Sequence, residues 1–501
     1  MNDPGWRWLA LMGGPVLAAC VYFLLPAEYV GTDGAVRALA PGARGAAAVT
    51  IWMALWWITE AIPVYVTALL PLAVFPLLGT ATVEVAAGAY GDPLIFLFFG
   101  GFILALALER WGLHRRVALT VLRSVGSRPD YIVGAFMGIT AFISLWVTNT
   151  ATTLMMLPVA LSVADTLADA HPAGQPAEPR TANVATALML GVAYAASIGG
   201  MGTMIGTAPN VFVASFINTR LQQEISFLDW MIVAMPLVIL LLAAAWWLLT
   251  RGIFRLGHEP LPGTRTVLQG LAATLGPVTS AEQRTAVVFL LTAAAWVFRG
   301  LLDDVVIGGL RPFSGLTDAG VAISAAILLF VLPAGRTHPG ERLMDWPTAK
   351  RVPWGLLLLF GGGLSLAATF EQTGLADYVA AQGQGLENLP VWVLVLCIVT
   401  VVVFLSEIAS NVATATTVVP VLAALAIGAG LAPVPLVLAA CFAASCGFML
   451  PVATPPNAIA YGTGRVTAGQ MARAGFLLNV MGIVFITAVT CGIIIPFIGA
   501  K

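Results

Sequence analysis

Two short polar motifs in very apolar surroundings carry side chains that suit an anion and a cation at once. They are Thr148-Asn149-Thr150 and Ser410-Asn411-Val412. Both continue into Ala-Thr, and Pro158 and Pro420 stand at matched places beyond them. An Asn amide offers donor and acceptor on one group, and Ser or Thr adds a hydroxyl. Where a chain turns at such a motif inside a membrane, one helix starts and another ends. The starting helix leaves unpaired N–H groups that attract anions. The ending helix leaves C=O groups. Together with the Asn and Ser/Thr oxygens, these suit a small hard cation such as Na⁺.

A second matched pair follows: Gly206-Thr207-Ala208-Pro209-Asn210 and Ala453-Thr454-Pro455-Pro456-Asn457. Proline in mid-span removes a donor and breaks the helix. The segments 183–216 and 432–463 are therefore each expected to be two half-helices around an unwound stretch. The first pair repeats at a shift of 262 residues, as 148 to 410 shows. The same shift maps Gly100-Gly101 onto Gly362-Gly363, Glu109 onto Glu371, and Gly112-Leu113 onto Gly374-Leu375. The second pair repeats at 247, because the first half has a longer loop around His171–Arg180. Any one break is as readily explained by helix packing. Four breaks in two registers point to a site between two repeats.

The elements that must hold these motifs are membrane helices. The chain is 59% hydrophobic and 9% charged, against about 25% charged in soluble proteins. This excludes a soluble fold of 501 residues, and no nucleic-acid partner is expected. Apolar spans are read at 8–26, 46–62, 63–79, 93–109, 183–216, 229–250, 284–301, 318–333, 352–370, 432–463 and 474–498. Segments 131–164 and 391–427 are read as re-entrant hairpins. With the N-terminus inside, all Lys and Arg except Arg37, Arg44, Arg220, Arg299, Arg311 and Lys501 fall on the cytoplasmic side, as the positive-inside rule asks.

The expected architecture is an all-α polytopic membrane protein of two inverted-topology repeats with re-entrant hairpins and broken helices. Its parts are an N-terminal helix and outside loop (1–45), a first repeat (46–250) whose hairpin enters from the cytoplasm, a cytoplasmic linker (251–283), and a second repeat (284–501) whose hairpin enters from outside. The expected location is the cell inner membrane. Leu17-Ala18-Ala19-Cys20 resembles a lipoprotein cleavage box, but the apolar run continues to Leu25, and a retained first helix is expected.

What the spans lack also narrows the function. His114, His171, His258 and His338 fall in predicted loops, and neither hairpin contains Lys, Arg or His. An enzyme would need a nucleophile–base pair or a metal cluster, so none is expected. The five cysteines show no metal or disulfide spacing. Glu60 closes an apolar run before Pro63, while Glu109 and Glu371 sit at equivalent helix ends, where backbone or Arg partners are expected. Glu407 lies deep, three residues before Ser410, yet its repeat partner is Leu145. A structural role in the hairpin is expected of it rather than a symmetric ligand role.

Trp57-Ile58-Thr59-Glu60-Ala61-Ile62-Pro63, Phe360-Gly361-Gly362-Gly363, the two Ser/Thr-Asn motifs and Leu450-Pro451-Val452-Ala453-Thr454-Pro455-Pro456-Asn457-Ala458-Ile459 resemble the divalent-anion:sodium symporter family. The resemblance runs from about Trp52 to Phe497. It implies a homodimer of inverted-repeat protomers, each with a fixed scaffold domain and a transport domain that moves as an elevator. Family substrates are succinate, malate, fumarate and other di- and tricarboxylates, with sulfate in some branches. The coupling ion is Na⁺, with no organic cofactor, although some members are Na⁺-independent exchangers.

By this resemblance, one Na⁺ site would use Ser144, Thr148, Asn149 and the backbone of Gly206. The other would use Ser406, Ala409, Asn411 and the backbone of Ala453. The substrate would meet Asn149, Thr150, Thr207, Ser410, Asn411, Val412, Thr454 and Pro455. Two residues depart from the family pattern. Thr148 stands where Ser is usual, and Val412 stands where Thr is common and so removes a donor.

Overall fold

The structure is a computed structural model, and it describes residues 4–169, 179–260, 269–270, 272–303, 305–306 and 310–499. His171, most of the loop around it, part of the 251–283 linker and Lys501 lie outside the described residues.

The fold is almost wholly helical, and its one described sheet is the small hairpin Glu28–Val30 with Val36–Ala38. Among the described residues, seven helices are long and apolar enough to cross a membrane. Among them are Trp354–Thr373, the continuous stretch Phe227–Ile253 and Ala468–Gly499. Many large apolar side chains face outward, including Phe23, Ile239, Leu290 and Ile327. Lipid is their natural solvent.

The hairpins form where the motifs lie. Hairpin 1 pairs helices Pro129–Ser144 and Asn149–Asp169. Hairpin 2 pairs Val391–Ile408 and Asn411–Gly428. The two broken helices also form. Pro179–Gly200 is followed by Ala208–Arg220, and Pro433–Ala444 by Pro455–Gly462. Each second half starts from an extended threonine with proline in its first turn. Thr207 has φ −141° and ψ 150°, and Thr454 has φ −141° and ψ 147°. Proline there costs no hydrogen bond, because the first N–H groups of a helix are unpaired anyway.

One expected crossing is not a continuous helix. Segment 63–79 is split into Val64–Thr67 and Leu70–Leu77. Pro63, Pro71 and Pro76 punctuate it. Its longer piece spans roughly 12 Å at 1.5 Å per residue, well short of a bilayer core. Hydropathy registered the segment, but proline spacing decided its form.

The repeated glycine pairs have a packing role. A methyl group on Gly100 would lie 2.5 Å from the backbone of Ala322, and one on Gly362 would lie 2.4 Å from the Ala68 carbonyl. Each Gly-Gly helix thus presses its backbone against an element of the opposite repeat, and the halves interlock. Phe98 and its repeat mate Phe360 meet edge to face at 5.6 Å where the two helices approach.

Ion pairs between elements join groups that charge bias assigns to one face. Glu109 pairs with Arg351, and Arg110 with Asp345 and Glu341. Arg116 pairs with Glu282 at 2.9 Å and also ties the carbonyls of Leu275 and Gly276. On the other face, Glu371 lies 3.6 Å from Arg220. The equivalent residues Glu109 and Glu371 therefore both have arginine partners.

Candidate functional site

The two hairpin turns and the two helix breaks open onto a single cavity of about 710 Å³. Thr148, Asn149 and Thr150 come from hairpin 1, and Ser410, Asn411 and Val412 from hairpin 2. The first broken helix supplies Gly206 and Thr207, and the second supplies Ala453, Thr454 and Pro455. All eight residues expected at the substrate line this cavity. Of those expected at the cations, Thr148, Asn149, Gly206, Asn411 and Ala453 line it as well. Ser144, Ser406 and Ala409 lie buried behind them.

Four helices begin at this cavity, at Asn149, Ala208, Asn411 and Pro455. Their unpaired N–H ends and dipoles favour negative charge. Among the described residues, the lining contains no Lys, Arg or His, and its one charged residue is Glu60. Glu60 sits in the left-handed region at φ 47°, where the helix Pro41–Thr59 ends.

Behind the lining, both repeats build the same oxygen cluster. Ser144 Oγ lies 2.9 Å from Asn149 Oδ1 and 2.7 Å from the Ala196 carbonyl. Ser406 Oγ lies 2.9 Å from Asn411 Oδ1 and also contacts the Ala444 carbonyl. A hydroxyl has one proton and here faces two acceptors. Each cluster therefore holds more lone pairs than protons, which is the environment a hard cation needs. In the first repeat, a methyl on Gly206 would lie 2.5 Å from Gly200 O and 2.8 Å from Ser144 O. A methyl on Gly200 would lie 2.2 Å from Asn149 Oδ1. The two glycines let these oxygens close in. Among the described residues, no three His, Cys, Asp or Glu side chains gather at one point.

The unwound stretches are held by the final Asn of each motif. Asn210 Nδ2 donates to the carbonyls of Gly200 (3.0 Å) and Thr203 (2.7 Å). Asn457 Nδ2 donates to Gly447 (3.0 Å) and Leu450 (3.1 Å). The two threonines differ. Thr454 Oγ1 accepts from the Asn457 N–H at 3.3 Å, whereas Thr207 Oγ1 faces Asn149 Nδ2 at 3.5 Å.

Sequence reasoning missed an apolar part of the lining, formed by Val64, Tyr65, Phe98, Phe102, Pro353 and Leu356. It also missed the carbonyls of Ala196 and Ala444. Phe98 did carry a signal, since it stands two residues before Gly100 and has Phe360 as its repeat mate. The alanine carbonyls carried none, because main-chain ligands leave no mark on residue type.

Val412 lines the cavity beside Asn411. Val412→Thr should alter substrate preference more than Na⁺ dependence, because it adds one hydroxyl where a carboxylate end would lie. The gain is limited to roughly 0.5–1.5 kcal/mol, or up to ~3 kcal/mol against a charged partner. Competition between four-carbon dicarboxylates and larger tricarboxylates reads it. Unchanged relative inhibition with a shifted Na⁺ curve would place the side chain at the cation instead.

Helix N-termini and oxygen clusters duplicated about one cavity define a secondary transporter built of inverted repeats. Residues 14–496 match the family described as the sodium:sulfate symporter transmembrane region, and the chain belongs to that family. It is 39% identical over 455 residues to a sodium-dependent dicarboxylate transporter, SdcS, of Staphylococcus saprophyticus, covering 90% of this chain and 86% of that one. It is 40% identical over 444 residues to SdcS of Staphylococcus aureus, covering 88% and 84%. The fold is similar to that of the Alcanivorax borkumensis YdaH transporter, with a TM-score of 0.57, 14% identity and 98% of both chains covered.

Proposed function

We propose that this protein carries a dicarboxylate such as succinate, malate or fumarate across the membrane together with Na⁺. The observation that carries this is the charge of the cavity. A dicarboxylate brings two negative charges to a lining whose only charged residue, among the described residues, is Glu60. Helix N-termini supply only partial positive charge. The remainder has to come from ions that travel with the substrate, and the two oxygen clusters are where such ions fit. Relatives named sodium-dependent dicarboxylate transporters support the same reading.

The hairpins and broken helices form one wall of the cavity, tied together by the Ser and Asn hydrogen bonds. The lining contributed by other elements is mainly apolar, with Tyr65, Phe98 and Pro353 on it. An apolar seam lets one body slide past another. This supports an elevator in which a transport domain moves against a scaffold, with the scaffolds of two protomers joined as a homodimer. Glu60 and Pro353 lie at span ends that charge bias places in the cytoplasm. On that assignment, with the N-terminus cytoplasmic and the protein in the cell inner membrane, the cavity represents the inward-facing stage.

Uptake of labelled succinate and of sulfate into proteoliposomes, at matched Na⁺, K⁺ and pH gradients, tests the proposal. Succinate uptake should rise sigmoidally with Na⁺, because two ion sites serve one substrate. Full-rate uptake in choline buffer would overturn Na⁺ coupling, and counterflow persisting without Na⁺ would identify an exchanger. Uptake of sulfate in preference to succinate would replace the substrate class.

A further inference from the structure

The two repeats fasten the same pair of positions by opposite chemistry. In the first repeat, the Thr203 hydroxyl on the unwound stretch donates to the Leu145 carbonyl on hairpin 1. In the second repeat, the equivalent positions are Leu450 and Glu407. There the side chain lies on the hairpin, and Glu407 Oε2 accepts from the Leu450 N–H at 3.1 Å. Glu407 Oε1 accepts from Phe448 N–H at 2.7 Å, from Met449 N–H at 2.9 Å and from Asn479 Nδ2 at 2.6 Å. Glu407 is 3% exposed, and its four partners among the described residues are all donors.

The substitution of fasteners is visible in the packing. A methyl on Gly202 would lie 2.4 Å from Leu145 Cδ2, so an apolar side chain fills that corner in the first repeat. The stretch above it closes on itself, with Met201 N–H bonded to Ile198 O and Gly202 N–H to Gly199 O. In the second repeat, the Glu407 carboxylate occupies that corner and takes the equivalent amides. The helix Ala468–Val489 is pressed against the same stretch, since a methyl on Gly475 would lie 2.2 Å from Phe448 O. Asn479 reaches Glu407 from one turn further along that helix.

We propose that Glu407 is the positioning residue of the second cation half-site. It fixes the 448–450 stretch through three amides, and Leu450 passes that constraint on. The Leu450 carbonyl accepts from Ala453 N–H at 3.2 Å and from Asn457 Nδ2 at 3.1 Å. Ala453 and Thr454 follow at the cavity. Glu407 is adjacent to Ser406, so one residue sets both sides of the half-site without touching the ion. This rests on the Na⁺-coupled reading above. It makes the two half-sites unequal, one held by a neutral hydroxyl and the other by a buried carboxylate.

The test transplants the first repeat's fastener. The full-length parent, Glu407→Leu, the double variant Glu407→Leu/Leu450→Thr, and Asn479→Ala are purified and titrated with Na⁺ against choline without substrate. Na⁺-dependent thermal stabilisation is the readout. Glu407→Leu should need about tenfold more Na⁺ for half its effect, as expected when charge-assisted bonds are lost, and its curve should lose its sigmoid shape. The double variant should recover most of that shift, and Asn479→Ala should fall between. A lowered baseline melting temperature with an unchanged Na⁺ curve would overturn the proposal, as would a double variant no better than Glu407→Leu. If Glu407→Leu does not fold, an unchanged Na⁺ curve for Asn479→Ala overturns it. A parent with no Na⁺ response would defeat the Na⁺-coupled reading itself, and this inference with it.

Discussion

Alanine in place of Asn149 or Asn411 is expected to abolish uptake while the protein stays folded. Each amide oxygen is one of two acceptors facing a single serine proton, Asn149 with Ser144 and Asn411 with Ser406. Each residue also opens a helix whose first turn lines the cavity. On the proposed Na⁺-coupled reading, the substitution removes a cation ligand and a substrate donor together. Each buried bond left unmade costs about 1–3 kcal/mol, more where charge is involved. Since 1.4 kcal/mol is a factor of ten in binding, two such losses at one residue reduce occupancy by roughly a hundredfold or more. Uptake by the purified variants, with size-exclusion profiles as a folding control, decides it. Normal uptake by either variant would remove the hairpin turns from the site.

Gly206→Ala should be nearly as severe, and should act on Na⁺ first. Its methyl would enter a space bounded by Gly200 O at 2.5 Å and Ser144 O at 2.8 Å. Both neighbours are backbone, so neither can swing aside. Displacing them by a few tenths of an ångström opens the oxygen cluster that a small cation needs closed. The measurement is Na⁺-dependent stabilisation without substrate. A sigmoidal curve like the parent's would show that the first cluster does not depend on this close approach. The equivalent residue in the second repeat is Ala453, so a methyl is already accommodated there. The two half-sites are similar in plan but not in packing.

Much of this was legible in the sequence because it was written twice. Asn149 and Asn411 alone are two polar residues in apolar helices. Their common register, with Gly100 and Gly362 moving at the same shift, marked them as a candidate site. Helix breaks were legible through Pro209 and Pro455, because a missing N–H is encoded by residue type. The splitting of 63–79 was encoded in the same way by Pro63, Pro71 and Pro76, but hydropathy overrode it in the reading. The carbonyls of Ala196 and Ala444 were not legible, since any residue could supply them. Nor was the purpose of Glu407. Its partners are main-chain amides and Asn479, which lies 72 residues further along the chain. Its departure from repeat symmetry was visible, whereas the reciprocal fastener at Thr203 needed coordinates.

The backbone contacts at Gly100 and Gly362 bear on how the protein is made. Gly100 is synthesised long before Ala322, the residue it packs against. Ala68 likewise waits for Gly362. The first half therefore leaves the ribosome with both elements still lacking these packing partners, and the second half must pack against them after insertion. Either half expressed alone would lack these contacts. Co-expression of the two as separate polypeptides should restore what each lacks, provided both reach the same membrane before quality-control proteases remove them.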